Sequence, residues 1–146
     1  MASNGLRKVG PNAARAGALI EKARRDLAAV SKIANASEEI AYTAAYEAVF
    51  KATLALLALE GLRLGTVEQR KTAVHFLRAV LPKAFDPVLV AYDKMRQRRN
   101  DLSYGAGIPV SRTDLDEAAK QAALLIEAIG KIVAPAAGAA KPGKKP

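Results

Sequence analysis

The chain contains no cysteine. Disulfide bridges, thiolate metal centres and cysteine nucleophiles are therefore excluded, and an intracellular setting suits the composition. Tryptophan is absent, aromatic residues make up only 5%, and the single histidine, His75, has no second imidazole or thiolate with which to ligate a metal. No glycine-rich loop of the kind that cradles phosphate occurs. Runs of β-branched residues are missing, so a sheet has little to build on. Near the N-terminus Arg7 and Lys8 are basic, but Asn12, Arg15, Glu21 and Lys22 interrupt the apolar residues that a secretory signal needs, and secretion is not expected. The most apolar stretch, residues 40–59, carries Glu47, Lys51 and many alanines, which suits a buried bundle helix rather than a membrane span.

What remains is rich in alanine and leucine. Hydrophobic residues reach 51% over 146 positions, enough for one domain with a real core. Small, strong helix formers favour closely approaching helices, and the expected fold is all-α, an up-and-down bundle of four to five helices. Lys and Arg number 23 against 14 Asp and Glu, a formal net charge of +9. That excess attracts polyanions through counterion release without specifying a sequence or a reaction. Lys141, Lys144 and Lys145 account for part of it, in a terminal segment of alanine, glycine, proline and lysine.

Residues 1–11 read as a flexible arm ending at Gly10-Pro11. Asn12 caps a first helix through about Ala34, with Ala16, Leu19, Ala23, Leu27, Val30 and Ile33 on one face and Arg15, Lys22, Arg24, Arg25 and Lys32 on the other. Ser37-Glu38-Glu39 opens a second helix that Gly61 stops. A short connection, residues 61–66, leads to a third helix from about Val67 to Leu81, closed by Pro82. Asp86-Pro87 reads as an N-cap followed by proline at the first helical position, opening a fourth helix to about Tyr104, with Gly105 as its stop. A turn over residues 106–110 precedes a fifth helix that starts near Ser111 and carries Leu115, Ala119, Ala122, Leu125, Ile126, Ile129 and Val133 as its apolar stripe. The bundle thus spans 12–134, and residues 135–146 read as a disordered basic tail.

The end of the fourth helix, Arg96-Gln97-Arg98-Arg99-Asn100-Asp101-Leu102-Ser103-Tyr104-Gly105, is the one place where the sequence points at function. A solvated helix terminus whose cations match the negative end of the dipole accounts for Arg98 and Arg99. Three features favour a site: Asn100 and Tyr104 are four apart, Arg96 adds a turn on the same face, and Gly105 presents the phenol at the helix end. Arginine grips phosphate through two parallel charge-assisted bonds, while asparagine and tyrosine can orient a ribose or a base edge. Arg99 is expected to face solvent. Asp93 reads as an ordinary surface partner of Arg96, Tyr42 and Tyr46 as helix-packing residues, and His75, beside Phe76, as a partly buried packing residue.

The segment Arg99-Asn100 followed by Asp101-Leu102-Ser103-Tyr104 resembles the signature of the HEPN family of small helical bundles, in which an arginine and a polar residue precede a histidine by a few positions. The Ala/Tyr-rich helix Ile40-Ala41-Tyr42-Thr43-Ala44-Ala45-Tyr46-Glu47-Ala48, its glycine exit and the His75-Phe76-Leu77 helix stand before it in the order that the family shows. The resemblance implies a homodimer in which the two arginine-bearing helices meet and each subunit supplies half of a cleft for RNA or a nucleotide. In metal-independent ribonuclease members the histidine takes part in acid–base cleavage and the arginine supports the phosphate. By position Arg99 matches the arginine, Asn100 the polar residue, and Tyr104 stands where the histidine is expected.

A phenol holds its proton at neutral pH and is a poor general base where imidazole is a good one. The expectation is therefore a degenerate or non-catalytic relative of HEPN ribonuclease toxins that binds RNA or a nucleotide through Arg96, Arg99, Asn100 and Tyr104. Arg99 and Tyr104 are the catalytic candidates if any cleavage survives. No metal, cofactor or membrane is expected, and the location is expected to be cytoplasmic. The alternative is an interaction subunit that pairs with a nucleotidyltransferase antitoxin.

Overall fold

The computed structural model describes residues 5–105 and 108–140. Residues 1–4 of the expected arm, Ala106 and Gly107 of the expected turn, and residues 141–146 of the expected tail lie outside them. The elements run β1 (Leu6–Lys8), α1 (Ala13–Ala28), α2 (Val30–Ala34), α3 (Glu38–Glu60), β2 (Leu62–Leu64), α4 (Gln69–Val80), a single 3-10 turn (Lys83–Phe85), α5 (Asp86–Ser103) and α6 (Arg112–Ala140). The fold is an all-α helical bundle with one two-stranded ribbon, β1 antiparallel to β2.

Local chemistry sets most of the boundaries. The Asn12 side chain accepts a hydrogen bond from the Arg15 amide at 2.9 Å, and the Ser37 hydroxyl accepts one from the Ile40 amide at 3.1 Å. Each satisfies an amide that the helix itself leaves unpaired. Gly61 ends α3 at φ +75°, and a Cβ there would come within 2.8 Å of the Val9 carbonyl oxygen, so the position excludes larger residues twice over. The Ser111 hydroxyl accepts from the Asp114 amide at 3.0 Å at the start of α6.

Helix α3 is the axis of the molecule. Ala41, Ala45, Ala48, Ala52 and Ala55 along it are completely buried, and α1, α4, α5 and α6 all pack against it. Alanine brings backbones close; Gly17 of α1 brings them closer still, since a Cβ there would lie 2.6 Å from that of Ala137. Helices α3 and α6 are long and apolar enough to cross a membrane by length and composition, but 67% of the α3 stretch is buried by the rest of the protein, as a core helix requires.

Five sequence expectations need correction. Leu6–Lys8, placed in the flexible arm, pair with Leu62–Leu64 of the expected connection, because Leu6, Leu62 and Leu64 cover the core and the Val9 and Asn12 amides bond to the Gly61 and Ala58 carbonyls at 2.8 and 2.9 Å. The first helix does not run unbroken to Ala34: it tightens at Ala29, whose amide is shared between the Arg25 and Asp26 carbonyls. The third helix starts at Gln69 rather than Val67, because Glu68 adopts a left-handed φ of 49° and the Gln69 side chain bonds back to the Gly65 carbonyl at 2.7 Å. Asp86 lies inside α5 rather than capping it, since the preceding 3-10 turn runs straight into the helix.

The last difference is at the other end. Proline usually ends a helix by removing an amide donor, yet α6 continues through Pro135 to Ala140. Pro135 faces solvent, while Ala137 is buried in the notch above Gly17, and that packing carries the final turns.

Candidate functional site

The three arginines at the end of α5 point three ways. Arg96 Nε donates to Asp93 Oδ1 at 2.8 Å, and Gln97 completes that carboxylate through a 3.1 Å bond to Oδ2. Arg98 turns toward α6, where one terminal nitrogen reaches the Ile108 and Pro109 carbonyls at 3.1 and 3.2 Å and Asp114 Oδ2 at 3.2 Å, with the guanidinium 5.7 Å from the Tyr42 ring centre. Arg99 turns inward. Its Nη2 lies 3.3 Å from Glu47 Oε2 on α3, and only 28% of the side chain is exposed. The expectation of a solvent-facing Arg99 is therefore corrected: i,i+3 and i,i+4 spacing fixes which side of a helix a residue occupies, but a carboxylate on another helix draws the long side chain back under.

Glu47 is the junction. Its second oxygen, Oε1, accepts from Arg70 Nη1 of α4 at 2.9 Å. The Arg70 guanidinium lies over the Phe50 ring at 4.2 Å and near the Tyr46 ring at 5.6 Å, so apolar faces and one carboxylate hold it together. Behind them the Tyr46 and Tyr92 rings pack at 5.5 Å, and both hydroxyls are buried with no hydrogen-bond partner among the described residues. Burial pushes both phenols above the usual tyrosine range, Tyr92 well above it. Burial also raises the Asp93 carboxyl, but Arg96 and Gln97 outweigh it and hold the group below the usual aspartate range. The Ser111 amide, followed by Arg98, does the same for Asp114.

Arg96 and Asn100 meet α4 across an open cleft of about 600 Å³, lined from the other side by Gln69, Arg70 and Lys71 with Thr66 and Glu68 at one end. Three cations, two side-chain amides and one hydroxyl thus converge, against the single carboxylate of Glu68, which sits 3.9 Å from Lys71. Arg99 does not line this cleft; it reaches it through Glu47 and Arg70. Tyr104 does not line it either. It caps α5 as the first residue beyond the helix, with 81% of its surface exposed.

His75 departs from the expectation of a packing residue. Ala73, Val74, Phe76 and Leu77 take the buried side of α4, which leaves His75 exposed between Lys71 and Arg78, one turn away on either side. It makes no hydrogen bond or ion pair among the described residues and does not meet the inward-turned Arg99. Among the described residues no group of three or more histidine and acidic side chains is placed to hold a metal ion.

Glu47, Gln69, Arg70 and Lys71 escaped the reading of the sequence. For Glu47 a signal existed: it and Lys51 are the only charges inside a helix that is otherwise apolar all round, and such a charge has to find a partner. Lys51 finds Asp26 of α1. Arg70 carried no comparable mark.

The family model of the HEPN domain matches residues 16–132. That span covers α1 to most of α6, and the chain belongs to the HEPN domain family. Comparison with curated proteins and with solved structures gives no match.

Removing the junction tests its role. Glu47→Gln and Arg99→Ala should each lower stability by about 1–2 kcal/mol, between the values for exposed and buried ion pairs. In chemical denaturation the double variant should cost less than the sum of the two, because both remove the same contact. Full additivity would show that Arg99 and Glu47 act separately.

Proposed function

We propose that this HEPN protein binds RNA or a nucleotide in the α4–α5 cleft, as a homodimer whose α5 ends meet, and that it lacks the acid–base cleavage of the ribonuclease members. It is on this reading a degenerate, cytoplasmic relative of HEPN ribonuclease toxins. The observation that carries the proposal is the convergence of Arg96 and Asn100 with Gln69, Arg70 and Lys71 in one open cleft. Guanidinium and ammonium groups neutralise phosphate, and amides can read ribose or base edges. The surplus of positive charge over the whole chain supports the same partner class.

Two observations support the dimer. Tyr104, just past the end of α5, and Ile108 stand 81% and 77% exposed, two large apolar side chains close in sequence to the arginine-bearing helix. Tyr104 also lies outside the cleft of its own chain, so a second copy is the simplest way to bring it to one. The alternative, an interaction subunit for a nucleotidyltransferase antitoxin, draws on a different feature: a groove of about 400 Å³ that includes Leu81, Phe85, Leu124 and Ile132. The convergence of polar groups in the α4–α5 cleft favours the nucleic-acid reading.

Binding of a labelled single-stranded RNA, followed by fluorescence anisotropy, tests the cleft. Affinity should fall steeply as salt rises, and Arg96→Ala and Asn100→Ala should each weaken it about fivefold, the loss of roughly one hydrogen bond. Their thermal midpoints should stay near wild type, since Asn100 is exposed and the Arg96–Asp93 pair lies near the surface. Unchanged affinity in both variants would move the site elsewhere.

Light scattering at micromolar concentration should give twice the chain mass of 15.4 kDa. Replacing both Tyr104 and Ile108 with aspartate should return a folded monomer. A wild-type mass of one chain that does not change with concentration sinks the composite site.

Incubated with labelled RNA in EDTA, the wild type should leave it intact. Robust cleavage that disappears in Tyr104→Phe would overturn the non-catalytic reading and make the phenol a working acid.

A further inference from the structure

The ribbon carries a charge arrangement that no carboxylate among the described residues neutralises. Register places Arg7 of β1 directly opposite Arg63 of β2. Alternation along a strand puts both on the face away from Leu6 and Leu64, which pack against the core, and both arginines are exposed. Like charges directly opposite each other work against strand pairing. Arg15, on the first turn of α1, lines with Arg63 an adjoining groove of about 210 Å³. None of these three cations forms an ion pair among the described residues. The acid nearest Arg63 in the chain, Glu60, forms none either. By contrast, Arg70, Lys71, Arg96, Arg98 and Arg99 around the cleft all have carboxylate partners.

The backbone beneath these cations is held firmly. The Gly65 amide donates to the Gly5 carbonyl at 2.7 Å, and a Cβ on Gly5 would come within 2.8 Å of the Thr72 hydroxyl of α4. The Gly65 carbonyl in turn accepts from the side chain of Gln69, a residue that lines the α4–α5 cleft. The ribbon is thus docked at the mouth of the cleft, and Arg63 lies two residues, about 7 Å of strand, from Gly65. Three cations held in place without ion-pair partners among the described residues, next to a cleft of polar donors, form a continuation of it.

We propose that the ligand of the cleft is a strand of RNA, whose phosphates run from the cleft across Gly65 onto the Arg7–Arg63 pair, with Arg15 beyond. A mononucleotide occupies the cleft alone and leaves the ribbon untouched. The inference rests on the reading of the cleft given above. The ribbon accounts for the polyanion length, and the cleft accounts for the contact common to both ligands.

The experiment compares a single-stranded RNA of about a dozen nucleotides with 5′-AMP on the wild type, Arg7→Gln/Arg63→Gln and Arg96→Ala. For RNA, the ribbon variant should lose about tenfold in affinity and about 1.4 from the slope of log K against log salt, two contacts at 0.7 each. Its 5′-AMP affinity should be unchanged, and its thermal midpoint should be equal or higher because a like-charge pair has been removed. Arg96→Ala should weaken both ligands. If RNA affinity and slope are unchanged in the ribbon variant while Arg96→Ala still weakens binding, the extension onto the ribbon is overturned and the cleft stands. If the wild type binds neither ligand, the reading of the cleft falls and the inference with it. Binding to vesicles containing phosphatidylserine, with no binding of RNA, assigns the ribbon to an anionic lipid surface and also overturns the proposal.

Discussion

One carboxylate ties the polar end of this bundle together. Glu47 lies on the most buried helix, and its two oxygens receive arginines from two different helices, Arg70 of α4 and Arg99 of α5. A single acceptor group shared in this way fixes the relative position of three elements at one level of the bundle. It also explains why Arg70 can lie over the Phe50 ring: the carboxylate supplies the countercharge that an apolar bed lacks. The α4–α5 cleft has that arrangement as its floor, so the disposition of Arg96, Asn100 and Lys71 follows from a residue that is not in the cleft.

The rest of the core works by closeness rather than by bulk. With aromatic residues at 5% and no tryptophan, burial is spread over many small contacts. Fully buried alanines along α3, and Gly17 beneath Ala137, bring helices near enough for dispersion to act over long stretches of backbone. The same packing carries α6 past Pro135. A helix that is continued by its neighbours can absorb a missing hydrogen bond that would stop an isolated one.

Features written in adjacent residues were legible in the sequence. Asn12 and Ser37 were readable as caps and Gly61 as a stop, and the inward stripe of α6, from Leu115 through Val133, is buried as its spacing implies. Features that depend on distant residues were not. Three-residue strands are too short for alternation to show, so the pairing of Leu6–Lys8 with Leu62–Leu64 left no local trace. The turn of Arg99 beneath the surface depends on Glu47, 52 positions earlier in the chain. For the cleft, Arg96 and Asn100 were visible because they recur at helical spacing on one element, whereas Gln69, Arg70 and Lys71 belong to another. The exposure of His75 follows from which face of α4 the bundle covers, and a short amphipathic helix with residues of mixed character does not declare that face in advance.

The distribution of countercharge separates two kinds of cation in this molecule. Arginines that meet a carboxylate outside the cleft, such as Arg98 and Arg99, lose much of their long-range field and gain a fixed position; they act as struts. Cations without a carboxylate, such as Arg7, Arg15 and Arg63, keep their field, and a net charge of +9 is felt by a partner mainly through them. A family signature reduced to Arg99-Asn100 with a tyrosine in place of histidine belongs, by this measure, largely to the first kind. On the proposed function, Arg99 serves recognition indirectly, by holding in place the groups assigned the contact. Reading function from the motif alone would assign the contact to the strut, and the ion pairs of the folded chain are what distinguish the two.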